Sequence, residues 1–471
     1  MSRPRQNNKN SYRALGLTLG LLCLGGPPAA LAQENGLSLS EAYQIARERD
    51  PQLAGAEHRA AAAGERIPQA RAGLLPQVSA TADVSRRHSN IRLGGDEDNG
   101  ELDRTFTSRG MGLNVVQPLY DRPAREQLRQ SRAGAEQASV ALAGAEQELL
   151  LRVASSYFAV LAAAEQLATA EAGERAITAQ QERARRAFEL GQVTAVDVNE
   201  AEARADLARA QRIEAETELE IRRHALARVL GRPVGRLLHL TSEPLPTPPG
   251  EVGNWMERAR SENIEVRLQQ QAVAIAETEI ARSRGLAQPR LDAVAGYTDR
   301  RGQQFGGISS DTREAHVGLQ LNIPLYSGGA EQARVREVTR NLAAERAALQ
   351  NLTEQAELEA RSAFMRTTAG HARLQALEQA VRSAESALRS TQRGAEVGVR
   401  TNIDVLDALQ QVFVAHAEWM NARFDYLLNQ LQLAAAAGAL EPEALTELDA
   451  LLEPASAAGA MLERLELRPT R

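Results

Sequence analysis

The sequence predicts an α+β membrane protein built from two internal repeats, each joining a pair of short strands to a long helical hairpin. Three observations lead to this fold class. Two segments recur about 206 positions apart, two long proline-free stretches are rich in helix-forming residues, and four short segments alternate between apolar and polar residues.

The duplication is visible at two separate places. Residues 112–120 read GLNVVQPLY and return as residues 318–326, GLQLNIPLY. Further along, residues 191–198 (GQVTAVDV) return as residues 398–405 (GVRTNIDV). The period is far longer than the roughly 20–50 residues of a solenoid repeat. The chain is therefore a duplicated half-protein, and such a pseudo-symmetric object argues against a single catalytic cleft.

The N-terminus predicts export. A basic stretch precedes a short apolar run, and the Ala-Leu-Ala at residues 30–32 matches a cleavage site, so residues 1–32 are predicted to be a signal peptide. Cys23, the only cysteine, lies in this segment, which excludes disulfides and thiolate metal sites from the mature chain. The formal net charge of −6 and the lack of a basic stripe exclude a nucleic-acid partner.

The two proline-free stretches predict long helical hairpins. Proline is absent from residues 124–232 and 325–441, and each stretch is interrupted once, at Gly191 and at Gly398. We expect a helix of about 65 residues, a tight turn and a returning helix of about 35 residues in each repeat. The alanine-rich composition favours helices packed side by side around a lumen, although a generic two-stranded coiled coil is an alternative.

Strands are predicted before each long helix, at about residues 77–87, 106–117, 290–299 and 314–323. Their alternation is typical of transmembrane β-strands, although half-buried sheets of soluble proteins also show it. Four strands are too few to close a barrel, which needs roughly eight. The chain is therefore expected to oligomerise.

Several short motifs make the chain resemble the TolC-type outer-membrane efflux and secretion channels, also called outer membrane factors. The motifs are LLPQ at residues 74–77, QPLY at 117–120, IPLY at 323–326, and GVRTNIDVLD at 398–407. The resemblance covers roughly residues 38–450. It implies a homotrimer in the outer membrane of a Gram-negative bacterium, with a twelve-stranded transmembrane β-barrel continuous with a periplasmic α-helical coiled-coil tunnel.

The resemblance also implies partners and a division of the chain. The partners would be a periplasmic adaptor and an inner-membrane transporter, either of the ABC type, as in type I secretion, or proton-driven. The protein would be no enzyme and would bind no cofactor or metal. The division has a first repeat at 33–231 with its helical hairpin at 123–231, a linker at 232–253, a second repeat at 254–438 with its hairpin at 328–438, and a C-terminal segment at 439–471.

The family closes its tunnel at the periplasmic tip, which places the gate here at Asp404, Asp407, Arg400 and Asp197. Asp404 and Asp407 lie three positions apart, on one helix face, so three copies would form two stacked rings of carboxylates. Arg400 would link helices, with partners near Val196 and Asp197. Because Ala395 and Val196 replace the family's aromatic and polar residues, this bonding is expected to be sparse.

Two features of the tip, the Thr–Asp spacing and the turn glycines, have an alternative structural explanation. The spacing of Thr194 with Asp197, and of Thr401 with Asp404, also fits a helix N-terminal capping box. The turn residues are expected to dock the adaptor, although a helix turn needs glycine in any case. The expected docking residues are Leu190, Gly191, Gln192, Val397, Gly398 and Val399.

A soluble periplasmic scaffold or adaptor is the alternative function. The alternating strands count against it, because a scaffold has no use for an apolar barrel exterior. The seven histidines form no metal-binding or catalytic spacing. The sequence does not distinguish a drug or small-molecule duct from a protein secretion duct, since the two share one fold.

Overall fold

The computed structural model describes residues 36–92, 101–241, 245–247, 250–303 and 309–453. The predicted signal peptide with Cys23 lies outside these residues, as do residues 94–100 between the first two strands and the end of the chain after residue 453. The division into repeats and equatorial segments stays a prediction.

The described residues form ten helices and six strands. The helices are α1 (Leu39–Arg49), α2 (Pro51–Gly64), α3 (Arg66–Ala72), α4 (Arg122–Glu189), α5 (Ala195–Leu230), α6 (Val252–Glu262), α7 (Ile264–Gly285), α8 (Ala330–Glu396), α9 (Asn402–Ala436) and α10 (Glu443–Asp449). The strands are β1 (Gln77–Arg92), β2 (Glu101–Tyr120), β3 (His239–Leu240), β4 (Arg290–Gln303), β5 (Ser309–Asn322) and β6 (Leu452–Glu453).

Strands β1, β2, β4 and β5 form one antiparallel sheet in that order. The predicted apolar positions share one face, because the register aligns them in rows such as Val78, Val115, Ala295 and Val317. Strands β1 and β2 extend beyond their predicted ends into the connecting loop. Backbone pairing needs no apolar alternation, so the hairpin continues where the sequence pattern has already stopped.

The two long helices begin directly below the sheet. Helix α4 has 68 residues and α8 has 67, which corresponds to about 100 Å at 1.5 Å per residue. Helices α5 and α9, with 36 and 35 residues, pack along the lower halves of α4 and α8. Helices α1 to α3 cover the upper half of α4, and α6 with α7 cover the upper half of α8.

The largest apolar core lies at mid-length, where α5 and α9 end. It contains the fully buried rings of Tyr157 and Tyr426. The short strands β3 and β6 pair beside it. From the end of α10, the carboxylate of Asp449 accepts hydrogen bonds from the backbone N–H groups of Leu39, at 2.8 Å, and Ser40, at 3.1 Å. The C-terminal segment therefore caps the first helix, and together these elements form an equatorial belt.

Just below the sheet, Glu279 of α7 ties three helices together. Its carboxylate accepts hydrogen bonds from Arg282 of α7 at 2.7 Å, Arg334 of α8 at 3.0 Å and Gln130 of α4 at 3.2 Å. The bonds from Arg282, opposed by partial burial and reinforced by Arg334, lower the pKa of Glu279 from 4.5 to about 2. The ionised form is thus a structural element of the fold.

We expect Glu279→Gln to destabilise the protein at pH 7 by up to about 3 kcal/mol, since each pKa unit corresponds to about 1.4 kcal/mol. The contribution of a carboxyl with a lowered pKa is complete above its unfolded value of 4.5 and disappears as the pH falls through about 2. Thermal unfolding of the purified protein at pH 7 and pH 3 measures this. Glu277→Gln, at an exposed carboxylate paired with Arg346, is the control. A deficit that is equal at both pH values would contradict the prediction.

Candidate functional site

The lower ends of the two helical hairpins have the same turn. Five residues separate α4 from α5, and five separate α8 from α9. Gly191 donates its N–H to Phe188 O and Gln192 donates to Ala187 O, the pattern of a Schellman motif. Gly398 and Val399 repeat it in the second hairpin. Both glycines have positive φ, 71° and 78°, so the turns need glycine.

The turn side chains form an apolar surface at the tips. Leu190 lies at the end of the first hairpin, and Val397 and Val399 lie at the end of the second. All three are exposed to solvent, as are Gly191, Gln192 and Gly398. A Cβ at either glycine would meet no neighbour, so space alone does not require glycine there.

Each returning helix starts with a capping box. The carboxylate of Asp404 accepts from the N–H of Thr401 at 2.8 Å and from its hydroxyl at 2.9 Å. Asp197 is bound by Thr194 at 2.8 and 2.7 Å. The hydroxyl and N–H of Thr194 hold the pKa of Asp197 below its ordinary value. The N–H and hydroxyl of Thr401, together with the charge of Arg400, do the same for Asp404. Both residues therefore cap helices and stay ionised at neutral pH.

The structure places Arg400 beside Asp404 rather than beside Val196 or Asp197. Its guanidinium lies 3.8 Å from the Asp404 carboxylate, one turn away on the same segment, and both side chains are well exposed to solvent. An exposed pair of this kind contributes little to stability, between about 0 and 1 kcal/mol. Within one chain, Arg400 therefore does not join the two hairpins.

Arg204 of α5, which was not predicted from the sequence, adds an ion pair to the apolar packing between the two hairpins. Its guanidinium lies 2.7 Å from Asp407 of α9 and 3.1 Å from Glu200 of its own helix. Glu200 and Asp407 occupy equivalent positions in the two repeats, so both carboxylates of the duplicated pair converge on one arginine. The four-residue spacing from Glu200 to Arg204 was a visible signal for half of this contact.

Arg204 also borders a cavity of about 500 Å³ between α4, α5 and α9. The walls of this cavity include the apolar side chains of Leu207, Phe413 and Val414. Helices α5 and α9 touch each other at few places, since α5 packs mainly on α4, whereas α9 packs on both α8 and α4. The contact between Arg204 and Asp407 is therefore a localised polar link between α5 and α9, beside the apolar contact of Ala201 with Leu406, and we call it the Arg204 link.

Two features are absent from the described part of the chain. No helix in the described ranges is both long and apolar enough to cross a membrane. Among the same residues, no group of three or more His, Cys, Asp or Glu side chains is arranged to hold a metal ion.

Comparison with known proteins decides the family. A family model described as outer membrane efflux protein matches residues 42–232 and 255–439. The chain belongs to the outer membrane efflux protein family. The two matched stretches cover most of the two duplicated halves, and the resemblance seen in the sequence is confirmed.

Relatives that are similar along nearly the whole chain support the same family assignment. The outer membrane protein TolC of Vibrio cholerae is 30% identical over 439 residues, covering 92% of this chain and 97% of the relative. The proteases secretion protein PrtF of Dickeya chrysanthemi is 30% identical over 449 residues, covering 94% of this chain and 96% of the relative. This outer membrane efflux protein is thus a channel of the Gram-negative outer membrane, of the kind used in efflux and protein secretion.

Solved structures show the same fold. The outer membrane protein VceC of Vibrio cholerae has a TM-score of 0.71 at 19% identity, covering 85% of this chain and 96% of that one. The open state of the MtrE outer membrane channel of Neisseria gonorrhoeae has a TM-score of 0.70 at 22% identity, covering 86% and 90%. The predicted α+β channel fold is confirmed.

Proposed function

We propose that three copies of this channel form a homotrimeric duct that conducts passively and catalyses nothing. Each copy contributes four strands to a twelve-stranded barrel in outer-membrane lipid, and the helices below form a tunnel through the periplasm. The two open edges of the sheet, β1 and β5, and its continuous apolar face support this assembly. An inner-membrane transporter of the ABC or proton-driven type loads the duct through a periplasmic adaptor.

The names of two relatives at 30% identity support one class of cargo. Both of them, PrtF and the alkaline protease secretion protein AprF of Pseudomonas aeruginosa, are secretion proteins by name. We therefore place secreted proteins first among the cargoes, with small molecules as the alternative.

The gate lies at the helical tips, and the Arg204 link is the observation that supports this placement. It ties α5 to α9, which touch each other at few other places, so breaking it weakens the hold between the two returning helices. Asp404 and Asp407 lie on the same side of α9, and three copies give two rings of carboxylates. Such rings attract cations and repel anions.

The adaptor docks on the apolar surface made by Leu190, Val397 and Val399 with the turn glycines. These three side chains are 73–79% exposed in the single chain. Apolar groups exposed together at a helix end are typical of a contact surface.

We expect Asp404→Asn together with Asp407→Asn to shift the reversal potential of the channel in a salt gradient towards lower cation preference. Block by a multivalent cation should weaken severalfold, because six carboxylates leave the narrowest part of a trimer. Asp407→Asn also breaks the Arg204 link, so the reversal potential, and not the conductance, reports the loss of charge. Asparagine keeps the acceptor oxygen of the capping box. The measurement is single-channel recording in planar bilayers.

Asp206→Asn, at an exposed carboxylate of α5, serves as the control and should leave both quantities unchanged. Unaltered selectivity and block in the double variant would remove Asp404 and Asp407 from the pore. Membrane fractionation separates the scaffold alternative from the duct: a scaffold is released by carbonate, whereas the duct needs detergent.

A further inference from the structure

Four arginines follow one another on one face of α4, directly below the sheet. Arg122, Arg125, Arg129 and Arg132 are three or four positions apart. At about 100° per residue, these spacings place all four within an arc of about 80° around the helix. They lie in the first turns of α4, which begins at Arg122. We call these four residues the arginine stripe.

The arginine stripe lies on the same side of the molecule as the apolar face of the sheet. Tyr120, the last residue of β2, is paired with Leu291, which is paired in turn with Leu321. Paired residues point to the same face of a sheet, so the Tyr120 ring belongs to the apolar face. The guanidinium of Arg125 lies over this ring, 5.3 Å from its centre. The stripe therefore continues the apolar face below the strands.

Helix α4 lies inside the row of helices below the sheet, as β2 lies inside the sheet. It packs against α3, which precedes β1, and against α7, which precedes β4. A Cβ at Gly285, the last residue of α7, would lie only 3.0 Å from Arg122 Cγ. A copy joining either edge of the sheet would meet α3 or α8 before it met α4. In the proposed trimer the stripe therefore stays open on the side of the apolar face.

The arginine stripe carries more positive charge than its neighbours neutralise. Arg122 and Arg129 share the buried carboxylate of Glu126, at 2.6 and 3.1 Å. Arg125 and Arg132 are exposed and make no ion pair with any residue in the described ranges. Four arginines and one glutamate leave a net charge of +3 on this face, in a chain whose formal net charge is −6.

The zone around the lower ends of the strands is basic as a whole. Residues 65–76, 117–132, 279–292 and 323–340 contain twelve arginines and seven Asp or Glu, which gives a net charge of +5. Basic side chains beside an apolar surface are attracted to anionic membrane lipids. Further exposed arginines of this zone that form no ion pair within the part of the chain that the structure describes are Arg66, Arg71, Arg284, Arg336 and Arg340.

We propose that the arginine stripe binds the headgroups of anionic phospholipids in the periplasmic leaflet of the outer membrane. This rests on the proposed function and adds a lipid site to it. Arg125 is the main contact, because it lies at the depth of Tyr120, and aromatic rings mark the headgroup level of a membrane. A guanidinium binds phosphate oxygens through two parallel hydrogen bonds. Arg132 lies about 10 Å further down the helix, about one Debye length, and adds attraction.

The lipid preference of the reconstituted channel tests this proposal. The protein is placed in vesicles of dioleoylphosphatidylcholine with a trace of spin-labelled phosphatidylglycerol or spin-labelled phosphatidylcholine. Labels in contact with the protein give a motionally restricted component in electron paramagnetic resonance spectra. At low salt we expect phosphatidylglycerol to associate severalfold more strongly than phosphatidylcholine. Arg125→Gln together with Arg132→Gln should lower this preference by more than half, and Arg125→Gln alone should account for most of the loss.

A matched pair of arginines far from the sheet is the control. Arg366 and Arg373 of α8 are also exposed, seven positions apart and without an ion pair among the described residues. Residue 366 lies about 55 Å along α8 from its upper end. Arg366→Gln with Arg373→Gln should keep the full preference, and the restricted phosphatidylcholine component reports that each variant is inserted.

Two kinds of failure are distinguishable. An unchanged preference in the double variant, or an equal loss in the control pair, would overturn the lipid site and leave the channel standing. Equal association of the two labels with the unaltered protein would do the same. A spectrum without any restricted component for either label would show that the protein is not embedded in lipid, and would overturn the proposed barrel together with the lipid site.

Discussion

Replacing Arg204 with serine is expected to raise the single-channel conductance of the reconstituted channel. In the proposed trimer the substitution breaks three Arg204 links at once. A partly exposed ion pair is worth about 0.5–1 kcal/mol, so three contribute about 2 kcal/mol to the closed state, or about thirtyfold in the ratio of closed to open tips. Recording in planar bilayers measures the change as larger or longer openings.

The chain supplies matched comparisons for this experiment. Arg400→Ser removes an arginine that pairs only weakly with Asp404 of its own segment, so we expect a smaller increase. Glu200→Gln leaves the contact between Arg204 and Asp407 in place and should change the conductance least. If Arg204→Ser conducts like the unaltered protein while Arg400→Ser opens the channel, the closing contact involves Arg400 between copies, as the family resemblance suggests.

Gly438→Ala is expected to be far more destabilising than Gly231→Ala, although the two glycines are equivalent in the duplicated halves. Both have positive φ, 68° and 65°, and alanine in that conformation costs about 1–2 kcal/mol. At Gly438 the added Cβ would also collide with the backbone carbonyl of Glu262. The close approach there is fixed by Asn263, whose side-chain amide donates to Ala436 O at 2.9 Å.

We expect a loss of more than about 4 kcal/mol for Gly438→Ala, because a backbone clash cannot relax without moving the junction of α6 and α7 or the end of α9. In Gly231→Ala the added Cβ would contact the flexible side chain of Arg49, at 3.3 Å or more. This variant should therefore lose only the free energy that alanine costs at positive φ. Thermal unfolding and the yield of assembled channel measure the loss of stability in the two variants. Equal losses in the two variants would show that the backbone at residue 262 yields easily.

The long helices could be predicted closely from sequence. Expected lengths of about 65 and 35 residues compare with 68 and 36 in the first hairpin and 67 and 35 in the second. The reason is that their signals are local: helix-forming composition, no proline, and a glycine at each turn. The strand faces were predictable for the same reason, because alternation is a property of neighbouring residues.

Contacts between distant segments were not predictable from one sequence. Arg204 and Asp407 are separated by some 200 residues, and their meeting depends on how α5 and α9 lean across α4. Asp449 at the N-terminus of α1 is a second example. The duplication helps to predict the fold but not these contacts, because equivalent positions in the two repeats do not carry the same residues. The residue equivalent to Arg204 in the second repeat is Gln411, which cannot form the same ion pair.

The equatorial belt holds the two long helices at mid-length. Helices α4 and α8 pass through it without a break, and both contribute side chains to the largest apolar core. Above it, each long helix is braced by shorter helices and by the strands. Below the belt, each long helix packs against its returning helix, and the two hairpins pack against each other. In the proposed duct we therefore expect motion at the tips to be taken up by bending of the lower arms, with little change in the width of the barrel.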